Sequence, residues 1–214
     1  NRKKVFISGG TGYIGKRIIL CLLAKGHEVF ALSRKGSEHK LPDGCNVIIG
    51  DALKAETFQD KIYPCDTFIQ LTGVAHPGPG KDNLFREIDL ASVTAAVKNA
   101  KEAGIKNFIY ISVTNPSPFL KAYVDVRIEG ERLIKESGMN GYIIRPWYVI
   151  GPGHYWPLIL TPMYIIASMI PSLKDKAIDF GLVKVDRVVK SFLYAVESPM
   201  PGIRIITMRQ LKRT

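Results

Sequence analysis

Residues 5–15 read Val5-Phe6-Ile7-Ser8-Gly9-Gly10-Thr11-Gly12-Tyr13-Ile14-Gly15, an apolar run that passes into glycines at 9, 12 and 15. This spacing predicts a strand, a tight turn and the first turn of a helix. Gly9 lets the chain turn, Gly12 lets the backbone approach a pyrophosphate with no Cβ between them, and Gly15 lets helix pack on strand. The free N–H groups and the dipole of the helix start favour an anion at that point, so no basic side chain is required. A glycine triplet by itself is weak, but this one stands at a strand-to-helix junction and opens a βαβ unit of about 30 residues. The reading is a dinucleotide-binding turn, with Gly9, Thr11, Gly12, Tyr13, Ile14 and Gly15 as cofactor contacts.

Outward from the turn, short apolar runs alternate with longer helical patterns. Val5 to Ser8, Val29 to Leu32, Val47 to Ile49, Thr67 to Leu71, Phe108 to Ser112 and Tyr142 to Ile144 read as strands. Gly15 to Lys25, Leu84 to Glu102 and Val126 to Ser137 read as helices. Lys184 to Val196 and Ile203 to Thr207 add one helix and one strand. Such alternation predicts a parallel sheet covered on both faces, with right-handed crossovers: an α/β, Rossmann-type, doubly wound fold. The expected organisation is a single domain over 1–214, with about 146–183 forming most of a small C-terminal substrate-side region.

That region stands apart, because no Lys, Arg, Asp or Glu occurs between Arg145 and Lys174, while Pro146, Pro152, Pro157, Pro162 and Pro171 punctuate it. A membrane span needs about 20 unbroken apolar residues, and the prolines leave only Met163 to Ile170 as a short helix. A buried or subunit-facing helix is favoured over a membrane-surface element.

The chain of 214 residues is 46% hydrophobic and 23% charged, an ordinary globular balance. Its net charge of +11 is spread along the chain, and no nucleic-acid-binding signature accompanies it. Nucleic acid is therefore not the expected partner; a small-molecule substrate is, and the protein is expected to be a monomer or homodimer. Cys21, Cys45 and Cys65 have neither disulfide-framework nor metal-ligand spacing, and the basic residues that lead straight into the first strand make export unexpected. The expectation is a cytoplasmic protein without a metal.

The second strand ends Ala31-Leu32-Ser33-Arg34-Lys35, where an NAD-specific site would carry an acid for the ribose 2′-hydroxyl. Ser33 and Arg34 instead offer a hydroxyl and a bidentate guanidinium to a 2′-phosphate. NADP is the expected cofactor, ahead of NAD.

Further motifs follow in order: Gly50-Asp51 after the third strand, Leu71-Thr72-Gly73 after the fourth, Tyr110-Ile111-Ser112 ending the fifth, Arg145-Pro146 with Gly151-Pro152-Gly153, and Val185-Asp186-Arg187-Val188. With the glycine turn, these resemble the extended and atypical branches of the short-chain dehydrogenase/reductase superfamily, which include NAD-dependent epimerase/dehydratase-like and NmrA-like groups. The resemblance implies that Asp51, with Ala52 beside it, contacts adenine, and that Leu71, Thr72, Gly73 and Pro146 line the cofactor.

It also implies a catalytic tyrosine with a lysine four residues on, and a serine or threonine near the end of the fifth strand. The matching stretch is Tyr123-Val124-Asp125-Val126-Arg127, so arginine stands in the lysine position. A spacing of four keeps the cation on the tyrosine's side of the helix. The implied roles are proton exchange by Tyr123, support of its ionised form by Arg127, and polarisation of a substrate oxygen by Ser112, with Thr114 second. His76 and His154 occupy loops that could border a substrate. The expected activity is NADP-dependent hydride transfer to or from a small carbonyl or alcohol. The alternatives are a catalytically impaired NAD(P)-binding sensor or assembly factor, or an epimerase/dehydratase acting on a sugar nucleotide.

Overall fold

The computed structural model describes residues 2–75, 77–115, 120–170, 173, 175 and 178–213. The strands are β1 (Lys4–Ser8), β2 (Glu28–Ser33), β3 (Asn46–Ile49), β4 (Thr67–Gln70), β5 (Asn107–Ile111), β6 (Asn140–Ile144), β7 (Tyr148–Ile150), β8 (Leu182–Lys184) and β9 (Ile203–Ile206). Seven form one sheet in the order β3-β2-β1-β4-β5-β6-β9, every neighbouring pair parallel. The helices are α1 (Tyr13–Ala24), α2 (Asp82–Leu84), α3 (Ala91–Glu102), α4 (Lys121–Glu136), α5 (Thr161–Met169), α6 (Val185–Glu197) and α7 (Met208–Leu211). Strand order reverses between β1 and β4, which opens a crevice at the carboxyl ends of those two strands.

The period of two along each strand sorts the core into two faces. Val5 and Ile7 of β1 join Ile69, Ile109 and Tyr142 under Ile18, Ile19 and Leu22 of α1 and Val188, Phe192 and Val196 of α6. Phe6, Phe68 and Phe108 point to the opposite face, under Val93, Ala96 and Ala100 of α3 and Ile134 of α4. Register places these three rings side by side, with centroids 5.0 and 5.2 Å apart. Offset aromatic pairs of this kind add about 0.5–1.5 kcal/mol each beyond their burial. Helix α1 stops where Gly26 takes φ 78°, letting Gly26 N–H reach the Leu23 carbonyl and His27 N–H the Leu22 carbonyl, which satisfies the last-turn acceptors.

Two departures from the expected elements shape the site. The helix expected over Leu84–Glu102 is present, but Phe85–Leu90 winds as a π-helix ahead of α3, and Asp89 within it is buried. Helix α4 begins at Lys121, five residues ahead of the expected start, so Tyr123 is inside the helix rather than before it. A third departure is the pairing of β7 with β8, a separate two-stranded parallel sheet.

Of the two alternatives expected for Met163–Ile170, buried or subunit-facing, the buried one is corrected. Helix α5 packs mainly on the 3₁₀ turn Trp156–Leu160 that precedes it, not on the sheet, so Ile166 is 62% and Met169 78% exposed. Among the described residues, no helix is long and apolar enough to cross a membrane.

Cys65 closes the aromatic face of the core, and burial, followed by the nearby Asp66 and Glu28 charges, pushes its thiol from 9.0 up to about 12. The unfolded thiol ionises first, so this contribution to stability is complete below pH 9 and is lost as pH rises from about 9 toward 12. Cys65→Ala should therefore show a smaller fall in Tm between pH 8 and pH 10.5 than the wild type. Parallel falls in the two proteins would contradict this.

Candidate cofactor and catalytic site

The turn from β1 into α1 is built for an anion. Gly12 heads the helix without a side-chain cap, and the first turn holds no acidic residue, so its amides are left for a ligand. Gly9 has φ 78°, and a Cβ there would lie 2.8 Å from backbone atoms of Leu71 and Thr72. A Cβ on Gly15 would lie 2.3 Å from the Gly9 carbonyl oxygen, so this glycine sets how closely helix meets strand. Gly12 meets only the Gly9 carbonyl, at 3.3 Å, and is exposed: its missing side chain leaves space outside the protein, where a pyrophosphate would lie. Thr11 and Ile14 flank it half-buried.

The Tyr13 hydroxyl is buried with no hydrogen-bond partner among the described residues, and burial raises its pKa. The Tyr13 ring lies 4.0 Å from the Arg17 guanidinium carbon and 5.2 Å from the His154 ring. Arg17 also donates to the Pro152 carbonyl, which ties the loop after β6 over the start of α1. An uncapped helix start, a cradle closed to any Cβ and an orphaned hydroxyl all fit a dinucleotide.

The remaining cofactor candidates converge on the same ends of the strands. Ser33 is buried and donates to the Arg34 carbonyl; Arg34 itself is exposed and has no ion pair among the described residues. Gly50 N–H donates to the Ser33 carbonyl, bringing Asp51 alongside; the Asp51 carboxylate accepts from Leu53 N–H at 3.0 Å, and Ala52 packs half-buried on the core. Leu71 N–H donates to the Ser8 carbonyl and Thr72 Oγ1 to Ser8 Oγ. Thr114 N–H donates to the Pro146 carbonyl, which fixes Pro146 beside the end of β5.

Helix α4 carries Tyr123, Arg127 and Glu131 at intervals of four. The Tyr123 ring, half-buried, lies 5.2 Å from the Phe85 ring and 5.2 Å from the Arg127 guanidinium carbon. Arg127 is buried: it donates to Asp89 Oδ1 at 2.5 Å and to the Ile111 carbonyl at 2.9 Å, while its Nε has no partner among the described residues. Asp89 in turn accepts from Val74 N–H at 2.9 Å. Burial raises the pKa of Asp89 despite the opposing pull of Arg127. Gly73 makes the pair possible, since a Cβ there would lie 2.3 Å from Arg127 Nη2.

Ser112 belongs to a second buried network. Its hydroxyl donates to Glu131 Oε1 at 2.6 Å, and Glu131 also accepts from Arg145 Nε at 2.8 Å and Nη2 at 2.5 Å. In this structure the hydroxyl expected to polarise a substrate oxygen is directed at a carboxylate instead. Thr114 Oγ1 donates to the Arg145 carbonyl at 3.2 Å. Arg127 faces the Tyr123 ring, and Asp89 balances its charge.

Asp89 and Glu131 are absent from the sequence-derived site. Glu131 had a signal, since it continues the interval of four from Tyr123 and Arg127; Asp89, 38 residues from its partner, had only an acid in an otherwise covered helix. His76 lies outside the described residues. His154 accepts from Trp156 Nε1 at 3.1 Å and stacks beside Tyr13. Among the described residues, no cluster of His, Cys, Asp or Glu could hold a metal. Two clefts of about 280 and 430 Å³ lie at the opposite, amino-terminal end of the strands, bordered by Lys3, Asp66 and Asn107 and by Lys25, His27 and Glu197. Neither reaches the glycine turn or Tyr123, so neither is the site.

Residues 9–152 match a family model described as NAD(P)H-binding. The chain is 25% identical, over 95% of its own length and 75% of the relative's, to a 3-diazoavenalumate denitrifying reductase of a Streptomyces species. It is 26% identical, over 71% of its length, to a UDP-glucose 4-epimerase of Vibrio cholerae, of which it spans 53%. Among solved structures it is similar to the enzyme WbmH of Bordetella bronchiseptica in complex with NAD+, with a TM-score of 0.74 at 18% identity, covering 97% of this chain and 76% of that one.

Proposed function

Because this chain belongs to the NAD(P)H-binding family, within the extended short-chain dehydrogenase/reductase superfamily, we propose that it is an NADP-dependent oxidoreductase acting on a small carbonyl or alcohol. The observation that carries this reading is the α4 column, which sets a phenol and a buried guanidinium side by side, 5.2 Å apart, in one superfamily-matching position.

The first-turn amides of α1 would hold the pyrophosphate, Ser33 and Arg34 the 2′-phosphate, and Asp51 the adenine. Bound there, the nicotinamide supplies or accepts the hydride at the substrate carbon. Tyr123 gives its hydroxyl proton to the carbonyl oxygen during reduction and takes it back during oxidation. Arg127 keeps a positive charge at the ring face throughout, since the burial that opposes the charge is outweighed by its own basicity and by the adjacent Tyr123, Tyr110 and Asp89. The Ser112–Glu131–Arg145 network fixes the end of β5 against α4, and so positions the phenol. Residues 146–183 form most of the substrate side within one domain.

Calorimetric titration of NADP and NAD into the wild type and Arg34→Ala tests the cofactor assignment. NADP should bind more tightly to the wild type, and the variant should lose roughly 10- to 100-fold of that affinity while keeping its affinity for NAD. Binding of neither nucleotide would overturn the whole reading.

A second reading, a non-catalytic cofactor-binding sensor or assembly factor, is favoured by one observation: Asp89 neutralises the only cation at the tyrosine among the described residues. An inert parent made active by Arg127→Lys would establish it.

A further inference from the structure

We propose that the substrate of this site is a neutral, apolar alcohol or carbonyl compound of lipid-like character, received by the lobe around β7 and α5, and not a sugar nucleotide. The inference rests on the oxidoreductase reading above and names its substrate class.

The charge census of the lobe is the first argument. From Pro146 to Leu173, which covers β7 and α5, the sequence holds no Lys, Arg, Asp or Glu; the charged residues of the region, Lys174, Asp175, Lys176 and Asp179, all come after α5 and sum to zero. A diphosphate-bearing substrate brings two negative charges that need guanidinium, ammonium or uncommitted amide partners. The arginines at this end of the sheet are already engaged or assigned: Arg127 is paired with Asp89, Arg145 binds Glu131 through Nε and Nη2, Arg17 donates to the Pro152 carbonyl, Arg209 is paired with Asp175 and Asp179, and Arg34 is the residue assigned above to the cofactor. Burial pushes the Tyr164 phenol up to about 12, so that side chain stays neutral across the working pH range.

The second argument is what the lobe offers instead. Trp147, Tyr148, Trp156 and Phe180 meet edge to face, with centroids 5.1 to 5.8 Å apart, next to the loop that packs on Tyr13. Beside this ring cluster, Ile159 is 79%, Ile166 62% and Met163 55% exposed on the turn and helix that follow. Large apolar side chains left exposed together on neighbouring elements mark a binding surface more often than single scattered ones do. It lies at the carboxyl ends of the strands, where Thr114 and the Pro146 carbonyl join the lobe to the catalytic side.

The test uses the NADPH-loaded protein with 2-alkanones of four to twelve carbons, the neutral fluorophore N-phenyl-1-naphthylamine, and UDP-glucose. The ratio kcat/KM should rise roughly fourfold per added methylene over the first several carbons. The fluorophore should brighten on binding, be displaced by 2-dodecanone and not by UDP-glucose, and bind at least tenfold more weakly to Ile159→Glu/Met163→Glu, while NADPH affinity stays unchanged. A flat chain-length profile, displacement by UDP-glucose, or unweakened fluorophore binding by the double variant would overturn the inference. If no alkanone is reduced yet 2-dodecanone alone displaces the fluorophore, the oxidoreductase reading fails and the apolar site stands. If UDP-glucose binds and is converted, the substrate class fails while the cofactor assignment stands.

Discussion

Tyr123→Phe is expected to lower kcat for carbonyl reduction by roughly 10²- to 10⁴-fold, the range for loss of a positioned general acid, with cofactor affinity unchanged within about twofold. The selectivity of the effect follows from what the substitution leaves in place. The ring that lies 5.2 Å from Phe85 and faces Arg127 is retained, so helix α4 keeps its packing and only the oxygen is removed. Cofactor contacts are assigned to the β1 turn, the ends of β2, β3 and β4, and Pro146 after β6, and among the described residues none of these hydrogen-bonds that oxygen. Single-turnover reduction measured by NADPH absorbance, beside a calorimetric NADPH titration, separates the two quantities. A variant with wild-type turnover would remove Tyr123 from the chemistry. One that lost cofactor affinity in proportion would make it a structural residue.

The largest effect on stability is expected at the ion pair beneath that tyrosine. Asp89→Asn should destabilise the fold by about 3–5 kcal/mol, because it strands a buried guanidinium without its counter-charge. Asparagine keeps an oxygen for Val74 N–H, so the loss isolates charge rather than backbone anchoring. Replacing both partners, as Asp89→Leu with Arg127→Met, should recover most of the deficit, since two buried charges and their desolvation disappear together. Urea unfolding of the two single variants and the double variant gives the coupling energy directly. A double variant as unstable as the sum of the singles would mean that the side chains act independently and the pair is no structural unit.

The framework of the sheet could be read before any coordinates because its determinants are local. Seven apolar runs, each three to five residues long, became the seven strands of the main sheet within about two residues at either end, and the glycine turn fell at the strand-to-helix junction. What escaped depended on partners distant in sequence. The two three-residue strands Tyr148–Ile150 and Leu182–Lys184 are too short to show a period, and they exist because each supplies the other's ladder bonds. The π-helical stretch Phe85–Leu90 has no compositional mark, yet it carries the acid that decides how Arg127 behaves. The position of Ser112 could be read from the end of β5, whereas its hydrogen bond is dictated by Glu131 on a helix 19 residues later. The exposure of α5 likewise reflects where a short helix docks, which hydropathy does not encode.

The parallel ladder between β6 and β9 carries a cost during synthesis. These strands are roughly 60 residues apart in the chain, so a ribosome working at roughly 5–20 residues per second leaves the outer edge of β6 unpaired for about 3–12 s. For that interval Tyr142, Ile143 and Ile144 of the nascent polypeptide stand open to a neighbouring emerging chain, with α6 not yet present to shield one face. Yield in a cell should thus depend on what occupies that edge before residue 203 emerges, a vulnerability that the finished molecule no longer displays.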